Sequence, residues 1–226
     1  MKNIKMKKIL KLSSLFLLFV VLSNSLFAQK AKKPFSGIIT YGINAEGFSE
    51  AEKLQLPKTI VVTYLGSKTK TVTQMPTQEM VILSDYEKKE VVMLQDIMGN
   101  MIAMDMSGEI AKELEKAKES ETKFTYSDET KKIAGYDCKK VVAITETDTL
   151  VGYYTEDLNI ENANWNSIFE EVKGVMLEYE QPGLENKKIT IFAQTIKKKK
   201  IKEKVFNIPD EYERKTIEEL QEMFGG

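Results

Sequence analysis

The chain of 226 residues contains no histidine and one cysteine, Cys138, and those two counts decide most of the chemistry open to it. A Ser-His-Asp or Cys-His nucleophile needs an imidazole as base, and a His-ligated zinc site needs one as ligand, so neither can be built. Carboxylate pairs, a serine–lysine dyad and oxygen-ligand calcium sites remain open, but no spacing singles one out. No catalytic residue, cofactor or metal is therefore expected, and the chain is not expected to be an enzyme.

Four groups of side chains invite a chemical reading. Met93, Met98, Met101, Met104 and Met106 form a dense thioether run that a soft ion such as copper(I) would favour. Strand alternation, however, puts Met104 and Met106 on one face and Met101 on the other, so an adaptable apolar lining is the better reading. Cys138 alternates with Tyr136, Val142 and Ile144, which suits a buried, inert thiol rather than a reactive one. Lys197 to Lys200, with Lys202 and Lys204, read first as a charged edge strand protected from aggregation, and second as a holder of phosphate-bearing lipid or polysaccharide. Glu109 with Glu113, and Glu218, Glu219 and Glu222, read as solvated helix faces.

The elements that must position these groups are mostly strands. Ile39, Tyr41 and Ile43 share a face, as do Ile60, Val62 and Tyr64, and Gly66-Ser67 makes a two-residue hairpin loop into Lys68 to Met75. Strands at 80–83, 91–94 and 101–106 follow, and the second half repeats the style at 123–126, 136–145, 149–155, 174–180, 188–195 and a lysine-rich stretch to Phe206. Three amphipathic helices are expected: Ile110, Leu114 and Ala117 mark the first, Trp165, Ile168, Phe169 and Val172 the second, and Ile217, Leu220, Met223 and Phe224 the third. A Thr216-x-x-Glu219 capping box opens the last. The expected fold class is α+β: a curled antiparallel sheet of about eleven strands, an incomplete β-barrel, with three short helices packed on it.

Charge and hydropathy set the compartment. Five lysines and no acid in residues 1–11, a short apolar core from Leu12 to Leu22 and a small residue at Ala28 read as a signal peptide cleaved after Ala28. Removing those five lysines from a chain of formal charge −1 leaves −6, a mildly acidic surface that argues against nucleic acid as a partner. With no cysteine near the junction and no later apolar run of spanning length, residues 29–226 are expected as a single periplasmic domain, with secretion or outer-membrane association as alternatives.

Lys132 to Lys140, which reads Lys-Ile-Ala-Gly-Tyr-Asp-Cys-Lys-Lys, then Tyr153-Tyr154-Thr155 and Phe206-x-Ile208-Pro209, resemble a bacteroidetes-type family of envelope proteins of unknown function. A related family's Gly-Leu-Pro-Gly-Leu-Ile signature is absent, and Val172 to Leu177 stands in its place. Such families are similar in outline to the LolA/LolB lipoprotein carriers, whose half-barrel holds acyl chains. The resemblance thus implies a LolA-like half-barrel over 29–226.

Val81-Ile82-Leu83 and Val91 to Leu94 are apolar on both faces, so one face needs a cover beyond the ordinary core. Together with the resemblance this leads to an apolar groove for a lipid, an acyl chain or a lipidated partner, lined by Ile82, Val92, Leu94, Ile102, Met104, Met106, Trp165 and Phe169. The alternative is a non-enzymatic assembly factor that docks on an outer-membrane or surface protein through an edge strand.

Overall fold

Ile39 and Tyr41 are almost completely buried on one face of the first strand, β1 (Ser36–Asn44), and this strand is the seam of the molecule. The computed structural model describes residues 33–119, 122–183 and 187–224, so the expected signal peptide, 1–28, lies outside the described residues. On one side of β1 runs a meander of β2 (Thr59–Leu65), β3 (Lys68–Gln74), β4 (Glu79–Asp85), β5 (Glu90–Ile97) and β6 (Asn100–Asp105). On the other side runs a second meander, β7 (Lys123–Ile133), β8 (Tyr136–Ile144), β9 (Thr149–Thr155), β10 (Val175–Pro182) and β11 (Lys188–Lys198), with β11 against β1. A short β12 (Glu213–Lys215) pairs parallel to β6. The result is one unclosed, curled sheet of twelve strands whose edges are β7 and β12.

Local chemistry explains the turns. Leu65 pairs with Lys68 around Gly66-Ser67, the expected two-residue hairpin, with Gly66 at φ +58°. Met98-Gly99 and Ala134-Gly135 both take positive φ at both positions, the mirror-image turn whose twist matches that of the strands it joins.

Register assigns the faces, because directly opposed residues in an antiparallel pair project to the same side. Ile60, Val62 and Tyr64 lie opposite Thr73, Thr71 and Thr69, and Thr71 lies opposite Ile82; these make the first face. Val72, Val81, Leu94 and Ala103 form a cross-strand row on the second face. Ile208 and Tyr212 from the C-terminal segment pack on that row. The greasy second face that the sequence required to be covered is therefore closed by the chain's own C-terminus.

Three short helices accompany the sheet. The first, α1 (Glu50–Lys53), was not expected; Ser49 and Glu52 form a reciprocal capping box there. The second, α2 (Ser107–Glu119), is the first expected helix, with Ile110 half-buried; the side chains of Leu114, Ala117 and Glu113 lie outside the described residues. The third, α3 (Ile217–Phe224), carries the expected box: the Thr216 hydroxyl accepts from the Glu219 N–H at 3.2 Å and the Glu219 carboxylate from the Thr216 N–H at 2.7 Å. Leu220 is buried, while the side chains of Glu218, Met223 and Phe224 lie outside the described residues.

Three local expectations need correction. Residues 161–171 form turns, not a helix, because Asn159 and Asn162 adopt positive φ and Asn and Ser side chains compete for the backbone. The lysine-rich stretch is not an edge strand: β11 lies between β1 and β10 and ends at Lys198. Within β8, Cys138 is buried, yet Val142 is only half-buried and Ile144 is exposed, while Val141 and Ala143 are fully buried. The buried side of the strand changes at Lys139-Lys140, which strict alternation does not anticipate.

Candidate binding cavity

Residues 156–174 join β9 to β10 and lie over the first face of the sheet. Phe169 and Val172 anchor this crossover among Val141, Ala143, Leu150, Tyr154 and Met176, and Leu158 enters the neighbouring cluster with Ile39, Tyr41 and Leu177. Buried Asn164 donates to the Val172 carbonyl at 2.9 Å and the Gly174 carbonyl at 3.0 Å, pinning the loop's return. Gly174 has φ +102°, and a Cβ there would stand 2.5 Å from the Thr155 carbonyl oxygen, so this corner admits only glycine.

Between the crossover and strands β1 to β4 lies a cavity of about 740 Å³, within the range of small-molecule sites. One wall is the hydroxyl row of Thr69, Thr71, Thr73 and Ser84. Tyr41, Tyr64 and Tyr179 meet it with Ile60, Val62 and Ile82 at the floor, and the crossover contributes Asn162, Asn164, Trp165 and Ser167. The Tyr41 hydroxyl donates to the Met176 carbonyl at 3.1 Å. Phe169 and Tyr179 meet edge to face with centroids 6.0 Å apart.

Two contacts fasten the crossover to the opposite wall. The Tyr86 hydroxyl donates to a Glu161 carboxylate oxygen at 3.3 Å, and the Lys89 ammonium lies 5.0 Å from the centre of the Trp165 ring, a cation–π distance. Burial raises the Tyr41 and Tyr64 phenols well above their ordinary value and pushes Tyr179 up to about 12. All three remain neutral hydroxyls at physiological pH. Glu161 is the one carboxylate among the lining residues.

The eight residues expected to line a groove do not share one surface. Ile82, Trp165 and Phe169 reach the cavity. Val92 and Leu94 belong to the second face, with Leu94 in the core under Ile208 and Tyr212. Met104 pairs with Met93 and Ile102 with Gln95, on the first face but away from the lining. Met106 is half-buried at the end of β6, its N–H bonded to the Val91 carbonyl at 2.8 Å. Met98, in the same methionine run, is 91% exposed. What sequence reasoning missed is the hydroxyl row, whose signal was the Thr69-x-Thr71-x-Thr73 alternation, and the asparagines at 162, 164 and 166. Cys138 is buried with its thiol pushed up to about 11 by that burial. Among the described residues, no group of three or more His, Cys, Asp or Glu could hold a metal ion, and no helix is long and apolar enough to cross a membrane.

Residues 47–221 match the model of the family described as N-glycanase peptide, N-terminal domain. The chain belongs to that family. Two solved structures of PNGF-II, in space groups P21 and C2, share the fold of this N-glycanase N-terminal domain: TM-scores are 0.53 and 0.54 at 18% and 20% identity, each covering 84% of the chain. The chain spans about a third of those proteins, 33% and 32% of their length. No curated protein matches it.

The family match corrects three expectations. The chain is not a member of an envelope family of unknown function with a LolA-like fold, and the shared fold is that of PNGF-II. The apolar groove for a lipid or acyl chain and the alternative of an assembly factor docking through an edge strand both give way to a domain of the N-glycanase family. The physical reason the groove misled is that two-faced apolarity in β4 and β5 serves the covering C-terminal segment.

Proposed function

We propose that this N-glycanase N-terminal domain is a non-catalytic glycan-binding module that works outside the cytoplasm. The observation that carries the reading is the chemistry of the cavity wall. Sugars present hydroxyls that need neutral donors and acceptors, and C–H faces that stack on aromatic rings. The hydroxyl row of β3 and β4 supplies the first, with the amides of the crossover, while Trp165 and the tyrosines supply the second. A volume of about 740 Å³ accommodates a short oligosaccharide rather than a monosaccharide. Membership of the family described as N-glycanase peptide, N-terminal domain, supports a glycan attached to protein as the natural ligand.

The same lining supports binding rather than glycoside hydrolysis. Glycoside hydrolysis by paired carboxylates needs an acid and a second carboxylate flanking the bond. Glu161 is alone among the lining residues and already accepts from Tyr86. The five lysines among residues 1–11 and the apolar run behind them support export, which is where glycoproteins of other cells would be met.

Trp165 is the only tryptophan and lines the cavity, so its fluorescence reports occupancy directly. Titration with neutral oligosaccharides released from glycoproteins is expected to change the emission saturably, and Trp165→Ala to abolish binding measured by calorimetry. A flat titration, with calorimetry equally silent for the unaltered domain, overturns the reading.

A further inference from the structure

A second candidate site lies along the end of β11 and the segment that follows it, outside the lining of the cavity. Lys197, Lys198, Lys199, Lys200, Lys202 and Lys204 are all exposed, and among the described residues none of the six has an ion-pair partner. The single acid between them, Glu203, is held by Lys68 at 3.2 Å. Elsewhere on the sheet lysines are commonly matched, as Lys131 is to Glu178 and Lys140 to Glu129, at 2.7 and 2.8 Å.

The run is a fixed strap rather than a loose tail. Lys197 and Lys198 end β11 opposite Ile38 and Gly37. The Lys199 N–H then bonds to the Ser36 carbonyl at 3.0 Å, the Ser36 hydroxyl donates to the Lys199 carbonyl at 2.9 Å, and the Ile201 N–H reaches the Ser36 hydroxyl at 3.4 Å. A 3-10 turn at Glu203–Phe206 follows, with Ile201, Val205 and Phe206 half-buried. The apolar members hold the strap down and the lysines point to solvent.

Register adds a further cation. Lys197 opposes Ile38, Ile38 opposes Thr63, and Thr63 opposes Lys70. Lys70 therefore stands on the second face, three strand spacings or roughly 14 Å from Lys197, while Thr69 and Thr71 beside it line the cavity on the first. A held array of ammonium groups of this width fits an extended chain of repeated negative charges.

We propose that this strap binds an acidic polysaccharide, one carrying sulfate or uronate groups along its length. Lysines are hydrated point charges suited to repeated, loosely placed anions, whereas a single phosphate is best gripped by the planar arginine fork. The one arginine, Arg214, lies in β12 at the far edge. A membrane surface is the weaker candidate because interfacial binding adds inserted apolar side chains, and the exposed large ones are Leu54, Met98, Tyr126, Ile144 and Ile168, none in the strap or the strands that frame it. Single-stranded nucleic acid binds by stacking on exposed aromatic rings as well as by charge, and the strap exposes none; the acidic net charge of residues 29–226 disfavours duplexes. The site is independent of the cavity and stands whether or not the cavity binds glycan.

The test uses the full chain with heparin and polygalacturonate as probes, dextran as the neutral polymer, and phosphatidylcholine vesicles containing phosphatidylglycerol. Both acidic polysaccharides are expected to bind, with affinity falling steeply as salt rises, and dextran to be ignored by the strap. Replacing Lys199, Lys200, Lys202 and Lys204 together by Gln is expected to weaken binding at least ~tenfold, as loss of several screened ion contacts does. The matched variant lacking Lys88, Lys132, Lys139 and Lys173, all exposed and away from the strap, is expected to keep it within about twofold. Circular dichroism confirms folding of both, and the single Lys200→Gln variant gives a smaller loss in the same direction. Equal loss in both quadruple variants, or binding to the anionic vesicles without binding to either acidic polysaccharide, overturns the proposal.

Discussion

The Tyr86 hydroxyl and the Glu161 carboxylate meet at 3.3 Å across the mouth of the cavity, joining the β4–β5 turn to the crossover that roofs the first face. With Lys89 over Trp165 this is the fastening between two walls that share no strand pairing. The residues 156–174 are otherwise held from the β8–β10 side by Phe169 and Val172, and from the β1 side by Leu158 against Ile39 and Tyr41.

Tyr86→Phe removes the hydrogen bond and keeps the ring. Because the pair is exposed, the stability loss is expected to stay below ~1 kcal/mol. Amide exchange between residues 160 and 168 should nonetheless accelerate, since only the cation–π contact then ties the roof to the β4–β5 turn. Exchange mass spectrometry that finds this segment unchanged shows the fastening to be irrelevant.

Alkaline titration should separate the nine tyrosines into two groups. Burial raises Tyr41, Tyr64 and Tyr179 in the folded state, and the bond to Glu129 raises Tyr153 with them, whereas in the unfolded chain they ionise near 10. The folded protein then holds more protons than the unfolded one above that pH, so stability is intact below about pH 10 and falls as pH rises further. Absorbance at alkaline pH is expected to show a first reversible step from the accessible phenols and a second, coincident with loss of circular dichroism. Tyr64→Phe should move that second step to higher pH.

Two glycines in the sheet predict opposite tolerance. A Cβ on Gly37 would stand 2.3 Å from the Lys197 carbonyl oxygen, a backbone atom that cannot yield without breaking the β1–β11 register. A Cβ on Gly152 meets the Met176 methyl at the same distance, but that is the end of a flexible side chain. Gly37→Ala is therefore expected to cost about 3 kcal/mol or more and Gly152→Ala about 1. Urea denaturation of the two variants checks the order.

Cys138 is expected to resist thiol reagents in the folded protein, because it is buried and its thiol is pushed up to about 11. Labelling should appear only in denaturant, at the rate of a free thiol. Rapid labelling of the native protein would place the sulfur at a surface that the sheet does not give it.

The Glu52 carboxylate is held down to about 2 by its bond to Lys187 and by the Ser49 cap. Its contribution is present above the ordinary carboxylate range and is lost as pH falls toward 2. A residue-resolved titration should place its midpoint well below the other glutamates, and Lys187→Ala should raise it.

Much of this was legible in the sequence, because it depends on neighbours along the chain. Ile39 with Tyr41, the Gly66-Ser67 hairpin, the Thr216–Glu219 box and the strands of both meanders are local patterns of period two or of capping, and the structure carries them. Absence of histidine and the single cysteine bounded the chemistry without any fold at all. The second helix was misread for the same local reason: Trp165, Ile168, Phe169 and Val172 have helical spacing, yet Asn162 at positive φ and the bonds of Asn164 to the Val172 and Gly174 carbonyls decide the backbone.

What only the tertiary structure decided is which face of each strand meets which partner. Val81 and Ile82 are adjacent and equally apolar, and nothing in their order says that one packs under Ile208 and Tyr212 while the other looks into a cavity of hydroxyls. That division comes from contacts between residues far apart in the chain, Ile208 on β4 and Glu161 against Tyr86, 75 positions away, among them. Alternation specifies that a strand has two sides. The long-range docking of the crossover and the C-terminal segment settles which side is core and which is site.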